Sequence, residues 1–236
     1  MTTKSVEPSV SALRAVATYL ASKIPLGEHT EARAIAGEVA RLADGAEALA
    51  RLNSNRDPTI TDAAHVKRVA DAAAKLGKAT TTAMNRIGEL SRRGHDDIAA
   101  RIKAKTRLVP DVFGNEIRDQ FRRMGQEEKT KLLAELVEDP NRGSELAAIL
   151  VAPLSATGLS AEARSKWEQV YVARHAPDEL NEQLVLTATC EGALSVGTPT
   201  AGKVEAAYSS PTRIAEIARA EAAANAVAAT FDRSVA

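Results

Sequence analysis

Residues 59–93, TITDAAHVKRVADAAAKLGKATTTAMNRIGELSRR, decide the fold of this chain. Small and apolar residues recur there in alternating steps of three and four, and the series is Val66, Val69, Ala73, Leu76, Thr80, Ala83, Ile87 and Leu90. Such a series, kept up over about three heptads, favours a left-handed antiparallel hairpin or coiled coil. Thr59 followed by Asp62 predicts a capping box at the start of this helix. Gly94 is the predicted end.

The rest of the chain has the same helical character. Alanine supplies about a fifth of the residues and has the highest helix propensity, while aromatic residues make up only 3%. Further stripes at helical spacing predict helices from about Ser9 to Ile24 and from about Thr30 to Asn53. The sequence therefore predicts an all-α protein, an antiparallel helical bundle of about eight to ten helices with one long heptad-patterned hairpin.

Breaks in these patterns predict three regions. Residues 1–108 are expected to form an N-terminal helical hairpin or bundle, and residues 109–197 a C-terminal helical subdomain. Residues 198–236 are expected to hold a linker and an alanine-rich tail helix from about Thr212 to Phe231. The linker follows from GTPTAGKVEAAYSSP at 197–211. Its first seven residues match the start of a P-loop, but Val204 stands where that motif needs Ser or Thr, and no strand precedes it.

Composition excludes several function classes. Lys+Arg and Asp+Glu number 31 each, so the whole chain is not a polyanion binder by net charge. The single cysteine, Cys190, excludes an internal disulfide and is expected to be a small buried hydrophobe. The N-terminus lacks the apolar core of a secretory signal, and no run of about 18 apolar residues predicts a membrane span. We expect a cytoplasmic protein.

No catalytic or cofactor-binding motif is present. The four histidines, His29, His65, His95 and His175, are scattered, and a pair such as Asp62 with His65 supplies fewer ligands than a zinc site needs. The sequence therefore predicts no catalytic residue, no metal site and no cofactor, although a site assembled only in space leaves no trace in the sequence.

A basic region is the first candidate for a binding role. Its members are Arg92, Arg93, Arg101, Lys103, Lys105, Arg107, Arg118, Arg122 and Arg123. These side chains are expected either to contact phosphates of a nucleic acid or to contact acidic groups, within the fold or on a partner. The absence of aromatic residues near them disfavours binding of single strands, and the net acidic stretch at 126–140 favours charge pairing.

A second candidate set is expected to serve a protein interface. Trp167 and Tyr171 are four apart on one helix face, where they serve either as core residues or as interface anchors. The tail helix is poor in bulky side chains and needs a surface to pack on, either the body of the protein or a partner. The candidate interface residues are Trp167, Tyr171, Ile214, Ile217, Val227 and Phe231.

Residues 55–76, NRDPTITDAAHVKRVADAAAKL, combine a capped turn with an alanine-rich helix and resemble small helical proteins encoded among tailed-phage virion genes. The resemblance covers at most the N-terminal half and carries over no functional residue. It implies a virion component of the head, the tail or the ejection apparatus. We therefore expect a non-enzymatic structural or assembly protein, acting through self-association or within a larger complex, in the cytoplasm or in a virion. The alternative is a nucleic-acid-binding or regulatory helical protein that uses residues 92–123.

Overall fold

The computed structural model describes residues 7–25, 27, 29–109 and 114–209, and twelve further residues between 212 and 227. All of its regular elements are helical, which confirms the all-α prediction for the described part of the chain. The helices are α1 Glu7–Lys23, α2 Thr30–Ser54, α3 Asp62–Thr106, α4 Gly114–Arg123, α5 Gln126–Glu138, α6 Gly143–Leu150, α7 Leu154–Thr157, α8 Ala161–His175, α9 Pro177–Gly192 and α10 Thr198–Tyr208. A 3₁₀ turn, Pro140–Arg142, precedes α6, and a π-helical turn, Ala193–Gly197, joins α9 to α10.

The heptad series of α3 is a packing seam. Val69, Ala73, Leu76, Thr80, Ala83 and Ile87 are all buried, while the terminal members Val66 and Leu90 are partly buried. The Thr80 hydroxyl donates to the Leu76 carbonyl oxygen at 2.9 Å, so this polar group is satisfied inside the seam. The periodicity alone thus identified the buried face of the longest helix.

Helices α2 and α3 form the predicted antiparallel hairpin. Arg86 lies against Glu38, Leu76 against Gly45, and His65 near the carbonyl oxygen of Asn53. The α3 partner number falls as the α2 number rises, which is the register of an antiparallel pair.

The ends of α3 differ from the prediction. The helix begins at Asp62, and its cap is Thr61, whose Oγ1 accepts a hydrogen bond from the Ala64 amide at 3.2 Å. Thr59 is not the cap, because its amide and hydroxyl both donate to Asp57 Oδ1 in the preceding turn. Gly94 is buried within the helix rather than ending it, and α3 continues to Thr106.

The chain divides into two compact units, and the divisions fall inside α3 and inside α9. The first unit is Met1–Ser91 with Leu186–Ala236, and the second is Arg92–Val185. This differs from the predicted boundaries at 108 and 197. Local composition marks turns, but it does not reveal that residues far along the chain return to pack on its beginning.

The segment predicted as a linker is helical within the first unit. Thr198, Ala201 and Val204 of α10 are buried, and α10 packs on α1 and α2. Two glycines permit this packing: a Cβ on Gly197 would lie 3.1 Å from a Val39 methyl carbon, and one on Gly192 would lie 2.8 Å from a Leu20 methyl carbon. Gly197 and Thr198 have right-handed helical backbone angles, so these residues form no phosphate-binding loop.

The second unit has its own core. The residues that form it come from α4, α5, α6, α8 and the segment before α8, and they are Phe121, Leu133, Leu136, Val137, Leu146, Ile149, Leu150, Leu159 and Tyr171. Ser160 caps α8, since its side chain accepts a hydrogen bond from the Ala163 amide at 3.1 Å. None of the described helices combines the length and the apolarity that crossing a bilayer requires.

Candidate interaction surfaces

An open groove runs between α2 and α3 in the first unit and has a volume of about 440 Å³. Leu42, Leu76 and Ala83 form its floor and are nearly inaccessible to solvent. Small residues keep its walls low, and these are Gly45, Ala72, Ala79 and Thr82. The groove is therefore a shallow trough that exposes small side chains over an apolar floor.

A buried carboxylate lies at one end of the groove. The side chain of Glu38 is only 10% exposed; its Oε1 accepts a hydrogen bond from Arg41 Nη1 and forms an ion pair with Arg86, whose Nε lies 3.0 Å away. The two guanidinium groups remain more than half exposed. Together with Lys75 they outnumber the single acid among the groove residues, so the rim has a net positive charge.

The tail helix is an exposed surface, in contrast to the groove with its buried floor. The described residues between 212 and 227 are helical, and every one of their side chains is exposed. Ile214 is 38% and Val227 is 70% exposed, as expected of contact residues that lack a covering surface within the described chain. Ile217 and Phe231, also predicted as interface residues, lie outside the described residues.

Tyr171 is a core residue and not an interface residue. It is fully buried, and its hydroxyl donates to the carbonyl oxygen of Thr106 at 3.0 Å. Its burial raises the pKa of its hydroxyl group, and its ring lies 4.5 Å from the ring of His175. His175 Nε2 in turn lies 2.8 Å from the Val137 carbonyl oxygen. Of the two roles predicted for this pair, core residue or interface anchor, Tyr171 has the core role, and Trp167 is partly buried against the same core.

The basic region lies in the second unit, and part of it is used in ion pairs. Arg101 Nη2 lies 2.6 Å from Glu182, and Lys105 Nζ lies 3.0 Å from Glu179. These contacts join the end of α3 to α9 in antiparallel register. Burial favours a higher pKa for Glu179, but a backbone hydrogen bond and Lys105 outweigh it and hold the pKa below its usual value. Both acids are more than 85% buried, so these pairs organise the fold.

The other basic side chains are more dispersed. Arg92 pairs with Asp96 one turn along α3 at 3.6 Å, and Arg118 contacts Asn115 on α4. The remaining members of the predicted set are exposed, and these are Arg93, Lys103, Arg107, Arg122 and Arg123. Arg123 also lines a shallow pocket of about 510 Å³ beside Glu116, Asp119 and Glu128, so its surroundings are acidic.

Metal-ligating side chains are dispersed over the described part of the chain. No three metal-ligating side chains are clustered among its residues. His65 lies 3.4 Å from the Asn53 carbonyl oxygen, and with His175 it belongs to the packing of the helices. Cys190 is partly exposed rather than fully buried.

Sequence reasoning missed the groove and its carboxylate. Glu38 lies on the face of α2 that carries Ile35, Val39 and Leu42. A buried carboxylate is costly unless a cation or a hydrogen-bond donor compensates it, so an acid on this apolar face was the sign of a paired site. Comparison of the chain with protein-family models, curated proteins and solved structures gave no match.

Proposed function

We propose that this protein is a non-enzymatic helical assembly protein that acts through protein–protein contacts, with self-association as the first of them. The observation that carries the proposal is the tail: a helix whose described side chains are all exposed and include Ile214 and Val227. An isolated helix of this length is marginally stable in water even when it is rich in alanine. Burial of its apolar side chains against another molecule would supply stabilisation that these exposed side chains do not obtain from the described residues.

The groove between α2 and α3 supports the same proposal, because it is a surface on which a helix can pack. Leu42 and Leu76 are covered only thinly by small residues, and a facing helix is able to approach such a surface closely. Close helix–helix contact through small residues is the means by which an alanine-rich protein gains packing energy without large side chains.

Oligomeric mass tests the proposal. Light scattering after size exclusion, from about 1 to 100 µM, is expected to give a mass above 24.9 kDa that rises with concentration. A chain ending at Ser209 is expected to be smaller in mass, while circular dichroism reports whether its remaining helices are intact. A full-length chain that stays monomeric throughout this range contradicts self-association.

We further propose a virion as the place of assembly, and this part rests on the resemblance of residues 55–76 alone. Mass spectrometry of purified particles of the phage or prophage whose genes flank the coding sequence tests it. The protein is expected in particles at a fixed ratio to the major capsid protein. Its presence in the lysate but not in washed particles contradicts a virion role and leaves self-association standing.

A further inference from the structure

We infer that the groove between α2 and α3 binds the tail helix of a second copy of this chain. The inference rests on the proposed function and specifies the surfaces that assembly uses. Both surfaces belong to the first unit, where the groove is open and no described tail residue lines it.

The flank of α3 that faces the groove is distinct from the flank already covered within the chain. The groove residues Ala72, Ala79 and Arg86 follow one another at seven-residue steps on one side of the buried seam. Gly77 lies on the other side of the seam, where a Cβ would come within 3.2 Å of the Glu205 side chain of α10. The hairpin thus has α10 on one flank and, on the other, a trough that none of the described residues fills.

The tail has a face that matches this trough in side-chain size. Glu216, Ala220, Ala223 and Val227 follow one another at steps of three and four, Ala224 lies beside them four residues after Ala220, and all five are exposed. Three alanines fit against the low walls of the groove, where larger side chains would hold the helices apart. Val227 supplies an apolar contact for the floor.

The two surfaces also match in length and charge. Ala72 to Arg86 spans about 21 Å of helix and Glu216 to Val227 about 17 Å, at 1.5 Å per residue. Glu216 is the charged residue among these five, Arg219 lies at the edge of the stripe, and the rim of the groove is net positive. With Glu216 beside the exposed guanidinium groups of Arg41 and Arg86, Val227 reaches the end of the groove near Lys75.

Such a contact joins two different surfaces, so its symmetry has consequences. Reciprocal exchange of tails gives a closed dimer, whereas one-way exchange gives a ring or an open chain of subunits. Docking of a tail into the groove of its own chain gives no increase in mass.

The test introduces a bulky side chain into the groove. Ala79→Trp is expected to weaken self-association at least tenfold, since the indole occupies the space of the incoming helix. Ala74→Trp is the matched control, because Ala74 is an exposed alanine of the same helix that does not line the groove. Equal association of the two variants overturns the inference, and circular dichroism verifies that both are folded.

Charge reversal tests the orientation and separates the two proposals. Glu216→Arg is expected to weaken association about tenfold, and Arg41→Glu in the same chain is expected to restore at least part of it. A chain that still associates when Ala79→Trp and Glu216→Arg have no effect contradicts this contact but leaves assembly standing. A wild-type chain that never associates contradicts both.

Cross-linking distinguishes a second copy from the same chain. In a Cys190→Ser background, Ala79→Cys and Ala220→Cys are joined with a short bismaleimide. The inference expects products of dimer mass or larger on a denaturing gel. Cross-linking within single chains, or none at concentrations where the protein associates, contradicts docking of a second copy.

Discussion

Gly143→Ala is expected to destabilise the second unit, although the same change within a helix usually stabilises it. The backbone of Gly143 is right-handed helical, with φ −59° and ψ −32°, so alanine meets no conformational obstacle there. Alanine in place of glycine in a helix interior is ordinarily worth about 0.5–1 kcal/mol of added stability. The obstacle is steric, because an added Cβ would lie 2.1 Å from the carbonyl oxygen of Thr106 and 2.6 Å from the Tyr171 hydroxyl.

The cost follows from what must move. One of the two atoms belongs to the backbone of α3, and the other is the donor of the 3.0 Å hydrogen bond to the first. Overpacking of a tight site costs about 1–3 kcal/mol, and loss of a buried hydrogen bond costs about 1 kcal/mol or more. We therefore expect a loss of roughly 2–4 kcal/mol in the free energy of unfolding. With an m-value of about 2 kcal/mol/M, the urea midpoint falls by about 1–2 M.

Tryptophan fluorescence is the assay, because the single tryptophan, Trp167, packs against the core of this unit. Gly88→Ala, in the first unit, is the control for the general effect of this change in a helix, since a Cβ there meets nothing within 4 Å; followed by circular dichroism, it should leave stability unchanged or raise it. In a Tyr171→Phe background the cost of Gly143→Ala should shrink without vanishing, because the clash with Thr106 remains. A Gly143→Ala protein as stable as the wild type refutes the close approach.

Three further predictions concern charge. The side-chain hydrogen bond from Arg14 lowers the pKa of Glu47 below 4.5. The pair therefore stabilises the fold above that pH, and its contribution is lost as the pH falls through the lowered pKa. In the Glu47→Gln variant, stability against urea should fall less steeply with pH in that acidic range. Arg101→Gln with Lys105→Gln should cost about 1–3 kcal/mol by leaving two mostly buried carboxylates unpaired, whereas Lys103→Gln with Arg122→Gln at exposed positions should be nearly neutral by thermal denaturation. Fluorescence anisotropy with a labelled DNA duplex should show only weak binding at about 50 mM salt. The opposite result, nucleic-acid binding, would be supported by a submicromolar affinity that falls steeply with added salt and with neutralisation of Arg92, Arg93, Arg101 and Lys103.

The sequence predicted what depends on local periodicity. The α3 seam from Val69 to Ile87 follows from side-chain spacing within a single helix, and the structure contains it. Gly94 shows the limit of this reasoning, because a glycine marks a helix end only where the backbone turns. Gly94 is instead buried inside a helix, and the sequence around a glycine does not distinguish a helix end from a helix interior.

Properties that depend on distant contacts could not be read from the sequence. The residues at 197–208 look like a linker because they contain Gly, Pro and Thr, yet they fold as the end of a π-helical turn and as α10. Gly192 and Gly197 are the reason: the absence of a Cβ lets this segment lie against Leu20 and Val39. Glycine therefore allows close helix packing here. Whether a glycine serves close packing or a flexible linker depends on which residues pack against it, and the sequence does not reveal them.

The same distinction bears on the alanines of the tail and of the groove. Alanine raises helix propensity wherever it occurs, but it contributes packing only where a second surface comes close enough to touch its methyl group. In α3 the buried Ala73 and Ala83 have such a surface within the chain, whereas Ala79 and the tail residues Ala220, Ala223 and Ala224 are exposed. If propensity alone accounted for the tail, any helix-forming residue would serve in the stripe from Glu216 to Val227. If contact accounts for it, replacing Ala220 and Ala224 by leucine should preserve helicity and still abolish association, which separates the two explanations in one variant.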